Sequence, residues 1–156
     1  MFINKSDYPL ISVCRLFITP VEDVSAFTEG TDRFQRSITF KQGKSWKEIY
    51  FPPGSALFKE KEKEENAGVL IEQSLKFTFP GEDNDHSSLI AEVSGRGLIV
   101  LMNVSQGLPR VFGSPENGAI LKRNMEISSK ISGSEYEITC LAQDSAWRLQ
   151  TGAPPP

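Results

Sequence analysis

The stretch Phe112-Gly113-Ser114-Pro115-Glu116-Asn117-Gly118 sets a serine between a glycine and a proline, with a glutamate close behind. Such a serine suggests an activated nucleophile or a phosphate loop. A nucleophile elbow needs glycine two residues to either side of the serine, and here Pro115 and Glu116 follow it. Serine catalysis also needs a base, and the single histidine is His86. A turn asks for less: Pro115 fixes φ at a corner while Gly113 and Gly118 relax it. The segment is expected to be a turn, and no catalytic residue is assigned.

Metal and cofactor chemistry find little to work with. Cys14 and Cys140 lie far apart, and no CxxC, HxxxH or HExxH spacing occurs. Glu82, Asp83, Asn84 and Asp85 are suited to a hard cation such as calcium, but they lack the alternating ligands and distal glutamate of an EF-hand loop. A solvated loop leading to a helix cap is the expectation. Gly95 and Gly97 form a GxG without the third glycine of a dinucleotide loop, and no GKS or GKT is present. No cofactor is expected.

Two charged segments remain. Arg33, Arg36, Lys41, Lys44 and Lys47 lie among Phe34, Phe40 and Trp46 without one acid between them. Cations for phosphates beside aromatics for stacking are what a single-strand-binding hairpin uses. Parity argues against part of this, since Phe34, Ile38 and Phe40 share a face that looks like core. A basic contact surface for another protein subunit is favoured, with nucleic acid or an anionic ligand as the alternative. In Lys59-Glu60-Lys61-Glu62-Lys63-Glu64-Glu65, an extended chain sets the lysines on one side and Glu60, Glu62 and Glu64 on the other. That pattern fits an edge guarded against aggregation by charge. It fits equally an arm whose charged faces contact neighbouring subunits.

The elements that must carry these groups have a period of two. Val69, Ile71, Gln73, Leu75, Phe77 and Phe79 share one parity, as do Tyr136, Ile138, Cys140 and Ala142. Leu121, Met125, Ile127 and Ile131 share another, with Gly133-Ser134 as a natural hairpin link to Tyr136. The runs LISVCRLFIT and LIVLMNV are apolar on both parities, as strands covered on both faces should be. Gln42-Gly43 and Ser105-Gln106-Gly107 suggest two further hairpins. Helical signal is confined to DHSSLIAEVSG, with Asp85 as N-cap and Gly95 past the end, and to the shorter VEDVSAF. The expected fold is mainly β, an antiparallel sandwich or barrel with one or two short helices. Residues 1–150 should form a single domain, and 151–156 a mobile tail.

Composition agrees with that class. With 38% apolar and 24% charged residues in 156, the chain is too apolar for disorder and long enough for a core. The net charge of −3 offers no basic field to attract nucleic acid. No apolar run approaches the roughly 20 residues that span a bilayer, so no membrane partner is expected. Asp7 and Arg15 interrupt the first apolar run, unlike a signal peptide. Synthesis in the cytosol is therefore expected, with both cysteines as free, buried thiols.

One longer pattern stands out. A short helix precedes the apolar strand 98–104, then come a turn, Arg110-Val111-Phe112-Gly113-Ser114-Pro115-Glu116, an alternating strand, and Tyr136-Glu137-Ile138-Thr139. Over residues 85–148 this resembles a group of small structural proteins from the virions of tailed phages and prophages. Members usually carry proline and leucine soon after the GSPE, where this chain has Asn117-Gly118-Ala119. The resemblance implies a tail or head–tail role, no catalytic residues, and assembly into rings with itself and other virion proteins.

Overall fold

A computed structural model describes residues 12–66, 68–80, 84–127 and 132–154. Eleven strands occur in the order β1 Val13–Pro20, β2 Val24–Glu29, β3 Gln35–Phe40, β4 Lys47–Ile49, β5 Leu57–Glu65, β6 Gly68–Pro80, β7 Leu98–Val104, β8 Arg110–Phe112, β9 Ile120–Ile127, β10 Ser132–Ala142 and β11 Trp147–Thr151. Among the described residues one α-helix, α1 (Asn84–Val93), lies between β6 and β7. The strands make a seven-stranded sheet, β2-β3-β11-β8-β7-β1-β4, and a four-stranded sheet, β5-β6-β10-β9. The fold is mainly β and sandwich-like, as the period of two predicts. Every strand pair is antiparallel except β11 with β3, which run parallel, a departure from the all-antiparallel expectation.

Chain connectivity forces the larger sheet to curl. β1 and β2 are joined only by the 3₁₀ turn Val21–Asp23, yet they stand sixth and first from one edge. Five flat spacings would separate them by about 24 Å, whereas the link spans at most about 14 Å. The concave face so produced closes over Phe17, Val24, Ile38, Ile99, Leu101, Val111 and Leu149. The convex face presents Leu16, Ile18, Val100, Met102 and Phe112 to Leu75, Phe77, Tyr136 and Ile138 of the second sheet. β1 and β7 thus serve two cores at once, which explains their apolar residues on both parities.

The second sheet follows its sequence pattern. Gln73, Leu75 and Phe77 are buried, as are Tyr136, Ile138, Cys140 and Ala142, and Phe77 stacks on Tyr136. Helix α1 buries Ile90 and Val93 against the same core. The side chains of Asp85 and His86, in its first turn, lie outside what the structure describes.

Several expectations change. Gln42-Gly43 does sit in a turn, closed by Lys44 N–H to the Lys41 carbonyl at 3.0 Å, but β3 and β4 do not pair. Both edges of β3 are already taken by β2 and β11, so β4 crosses to β1 at the opposite edge. The Ser105–Gly107 hairpin holds, with Leu101 opposite Val111. Gly133 and Ser134 lie inside β10, opposite Glu126 and Met125, and so are not the turn. VEDVSAF is one 3₁₀ turn followed by β2, not a helix. Thr151 still belongs to β11, and the Gly152 carbonyl accepts the Trp46 indole N–H at 2.7 Å, so the chain is held past residue 150. Cys140 is a buried thiol, but Cys14 is exposed. Among the described residues no helix is long and apolar enough to cross a membrane.

Candidate functional site

Ser114 is locked into a turn. Its N–H donates to the Asn117 carbonyl at 3.0 Å, and the Asn117 N–H reaches both the Ser114 carbonyl and Oγ at 3.1 Å. Gly113 holds φ at +85°, and a Cβ there would lie 2.3 Å from the Leu98 carbonyl oxygen. Gly118 is needed for another reason: a Cβ would come within 2.6 Å of the Gly97 Cα, where Leu98 and Ala119 exchange two 2.8 Å hydrogen bonds. The Asn117 side chain donates to the Leu141 carbonyl and contacts Cys140 Sγ. This segment fastens the β8–β9 connection to the end of β10. Burial pushes the Cys140 thiol above its ordinary pKa, so it stays protonated at neutral pH.

The alternating run forms strand β5, bonded to β6 along one side and an edge of its sheet among the described residues. Its two charged faces are as the alternation predicts, but Glu60 turns inward. One carboxylate oxygen accepts the Ala146 N–H at 2.7 Å, and the other accepts the Ser145 hydroxyl. Gln73, 1% exposed, donates to the Asp144 carbonyl at 3.3 Å and lies 3.5 Å from the same carboxylate. Glu60 therefore clamps the β10–β11 loop of its own chain and is not free to meet a neighbour. Glu62 and Glu64 are free to do so: neither forms an ion pair among the described residues. Lys63 and Glu65 pair at 3.4 Å on the surface, a contact worth little in water.

Beyond this clamp the sheet narrows. The last β10–β6 pair is Ala142 with Ile71, whereas β5 and β6 continue through Lys63–Leu70, Glu64–Val69 and Glu65–Gly68. A two-stranded ribbon thus overhangs the body by about 10 Å, three rises of an antiparallel strand. Val69, on the glutamate face, is 56% exposed.

The five expected basic residues do not form one surface. Arg33 lies over the Phe34 ring and Arg36 over the Trp147 ring, 4.6 and 4.4 Å from their centroids. Arg36 also donates to the carbonyls of Arg33 and Gln35. Lys41 and Lys44 lie at the other end of β3, about 20 Å away for a six-residue strand. Lys47, on β4, pairs with Glu92 of α1 at 3.3 Å. The expected core face also fails at Phe34, which is 55% exposed just ahead of β3.

A different cationic pair emerges from the register. Arg110 of β8 stands directly opposite Arg148 of β11, with Gln35 of β3 next in the row. Nothing in the sequence between them signals this, because only strand pairing brings them together. Elsewhere, Arg15 and Glu48 form a two-pronged bridge at 2.8 and 2.9 Å. The hydrogen bonds from Arg15 hold the Glu48 carboxyl below its ordinary pKa.

Among the described residues, no group of three or more His, Cys, Asp or Glu side chains is placed to hold a metal. Residues 81–83 of the acidic loop lie outside them. Comparison with protein-family models, curated proteins and solved structures finds no match to this chain.

Proposed function

We propose that the chain is a non-catalytic structural subunit of a phage or prophage virion, associated with the tail, that works by binding copies of itself and other virion proteins. The observation that carries the self-association is the overhanging β5–β6 ribbon. Two strands alone are marginal in water, and this pair extends past its supporting sheet with Val69 exposed and the outer side of β5 unpaired among the described residues. A ribbon of this kind gains its supporting contacts from a neighbouring subunit. Repeated through one heterologous interface, such contacts close a ring or extend a tube.

The phage assignment rests on the resemblance over residues 85–148. Its GSPE segment is here a fastening turn, a role suited to a scaffold. The dispersal of Arg33, Arg36, Lys41, Lys44 and Lys47 leaves the nucleic-acid alternative without a continuous groove for a phosphate backbone.

Sedimentation velocity of the full chain across a wide concentration range tests the proposal. Larger species should grow with concentration and recede at high salt, as the charged faces are screened. A chain that sediments as a monomer throughout contradicts self-association.

A further inference from the structure

Arg110 and Arg148 face each other in the closer of the two antiparallel pairings. The Leu149 N–H donates to the Pro109 carbonyl at 2.9 Å, which places its hydrogen bond outside the Arg148–Arg110 pair and makes that pair the non-hydrogen-bonded type. Side chains in such a pair approach most closely, and like charges there repel. No carboxylate among the described residues forms an ion pair with either guanidinium. Two acids line the clefts that Arg110 borders, and each is hydrogen-bonded elsewhere: Asp32 accepts the Phe34 N–H at 2.8 Å, and Glu60 accepts the Ser145 hydroxyl and the Ala146 N–H.

The surroundings give the pair a shape. A register row runs Leu16, Met102, Arg110, Arg148, Gln35 across the convex face, leaving the covered core at Arg110. There a cleft of about 200 Å³ is lined by Phe34, Gln35, Arg110, Trp147 and Arg148. Phe34 offers an exposed ring beside it, with the Arg33 guanidinium stacked on that ring as a third cation.

We infer that this arginine cleft is the receiving site for the β5–β6 ribbon of a second copy of this chain, with Glu62 and Glu64 pairing with Arg110 and Arg148 and Val69 covering Phe34. The inference rests on the proposed self-association and names its contact. Its basis is complementarity. Glu62 and Glu64 share one face of β5, about 7 Å apart along the strand, and Val69 lies opposite Glu64 on β6. Lys61 and Lys63 point from the other face and do not oppose the arginines. Donor ribbon and receiving cleft are different surfaces, so the contact runs head to tail.

Charge reversal tests it on the full-length chain. One variant carries Arg110→Glu with Arg148→Glu, the other Glu62→Lys with Glu64→Lys, and the second alters only exposed positions. In sedimentation at low salt, each variant alone should lose the larger species formed by the wild type. An equimolar mixture should regain them, because every junction between unlike variants again joins opposite charges. Assembly of either variant alone at the wild-type level overturns the contact but leaves self-association standing, as does a mixture that remains monomeric. A monomeric wild type overturns both.

Discussion

The Glu60 carboxylate on edge strand β5 accepts the Ala146 backbone N–H at 2.7 Å, across the mouth between the two sheets. An edge strand rich in lysine and glutamate looks solvated at every position, yet this one is pinned at Glu60, its fourth residue, to the loop that starts β11. The two-stranded overhang begins three residues past this pin, at Lys63.

Replacing Glu60 should therefore cost stability where its neighbours do not. Glu60→Ala leaves the Ala146 N–H and the Gln73 amide short of a partner, a loss of about 1–3 kcal/mol, or roughly 2–10 °C in Tm for a chain of this size. Lys61→Ala, on the exposed face, should stay within about 0.5 kcal/mol. Thermal melts of the two variants check this. Equal melting points would show that the clamp does not bear on stability.

The turn at 113–118 predicts an order of severity. Ser114→Ala removes only the Oγ acceptor, since the Asn117 N–H keeps the Ser114 carbonyl, and should cost about 1 kcal/mol or less. Gly113→Ala meets both the positive φ and the Leu98 carbonyl, and should cost at least about 2 kcal/mol. Denaturant unfolding of both variants measures the order. A reversed ranking contradicts the turn.

The two thiols should react differently. Cys14 is exposed, whereas Cys140 is buried with its pKa raised, so little of it is thiolate. A thiol reagent at pH 8 should label one cysteine quickly in the native chain and the other only on unfolding. Rapid labelling of both would contradict the burial of β10.

Acid should release the Arg15–Glu48 bridge. Glu48 has a folded pKa below its unfolded value, so its contribution is present above about pH 4.3 and is lost as pH falls through the folded pKa. Wild type should thus lose its advantage over Glu48→Gln below that point, seen as converging melting curves. An advantage unchanged down to pH 2 would contradict the bridge.

These features differ in how far the sequence discloses them. Tyr136, Ile138, Cys140 and Ala142 announce an inward face because a half-buried strand must alternate. The runs 98–104 and 13–20 announce double coverage. The pairing of β3 was hidden, because Gly43 marks a turn but not which strand follows it into register. Glu60 was hidden too, since alternation is the same whether a glutamate faces water or an internal N–H. Arg110 and Arg148 meet only through the β8–β11 register, and no local pattern encodes that. Gly133-Ser134 looked like a turn because glycine beside serine suits one, but opposite Glu126 and Met125 the same residues continue a strand.

Hydrogen exchange at the ribbon, followed at two protein concentrations, tests the central claim most directly. Dilute protein should exchange quickly over residues 61–70, most of which lie in the two-stranded overhang, and slowly in β7, which is covered on both faces. At a concentration where sedimentation shows larger species, protection over 61–70 should rise several-fold while β7 is unchanged. Exchange over 61–70 that stays the same as the species grow would contradict the ribbon's place at the subunit contact.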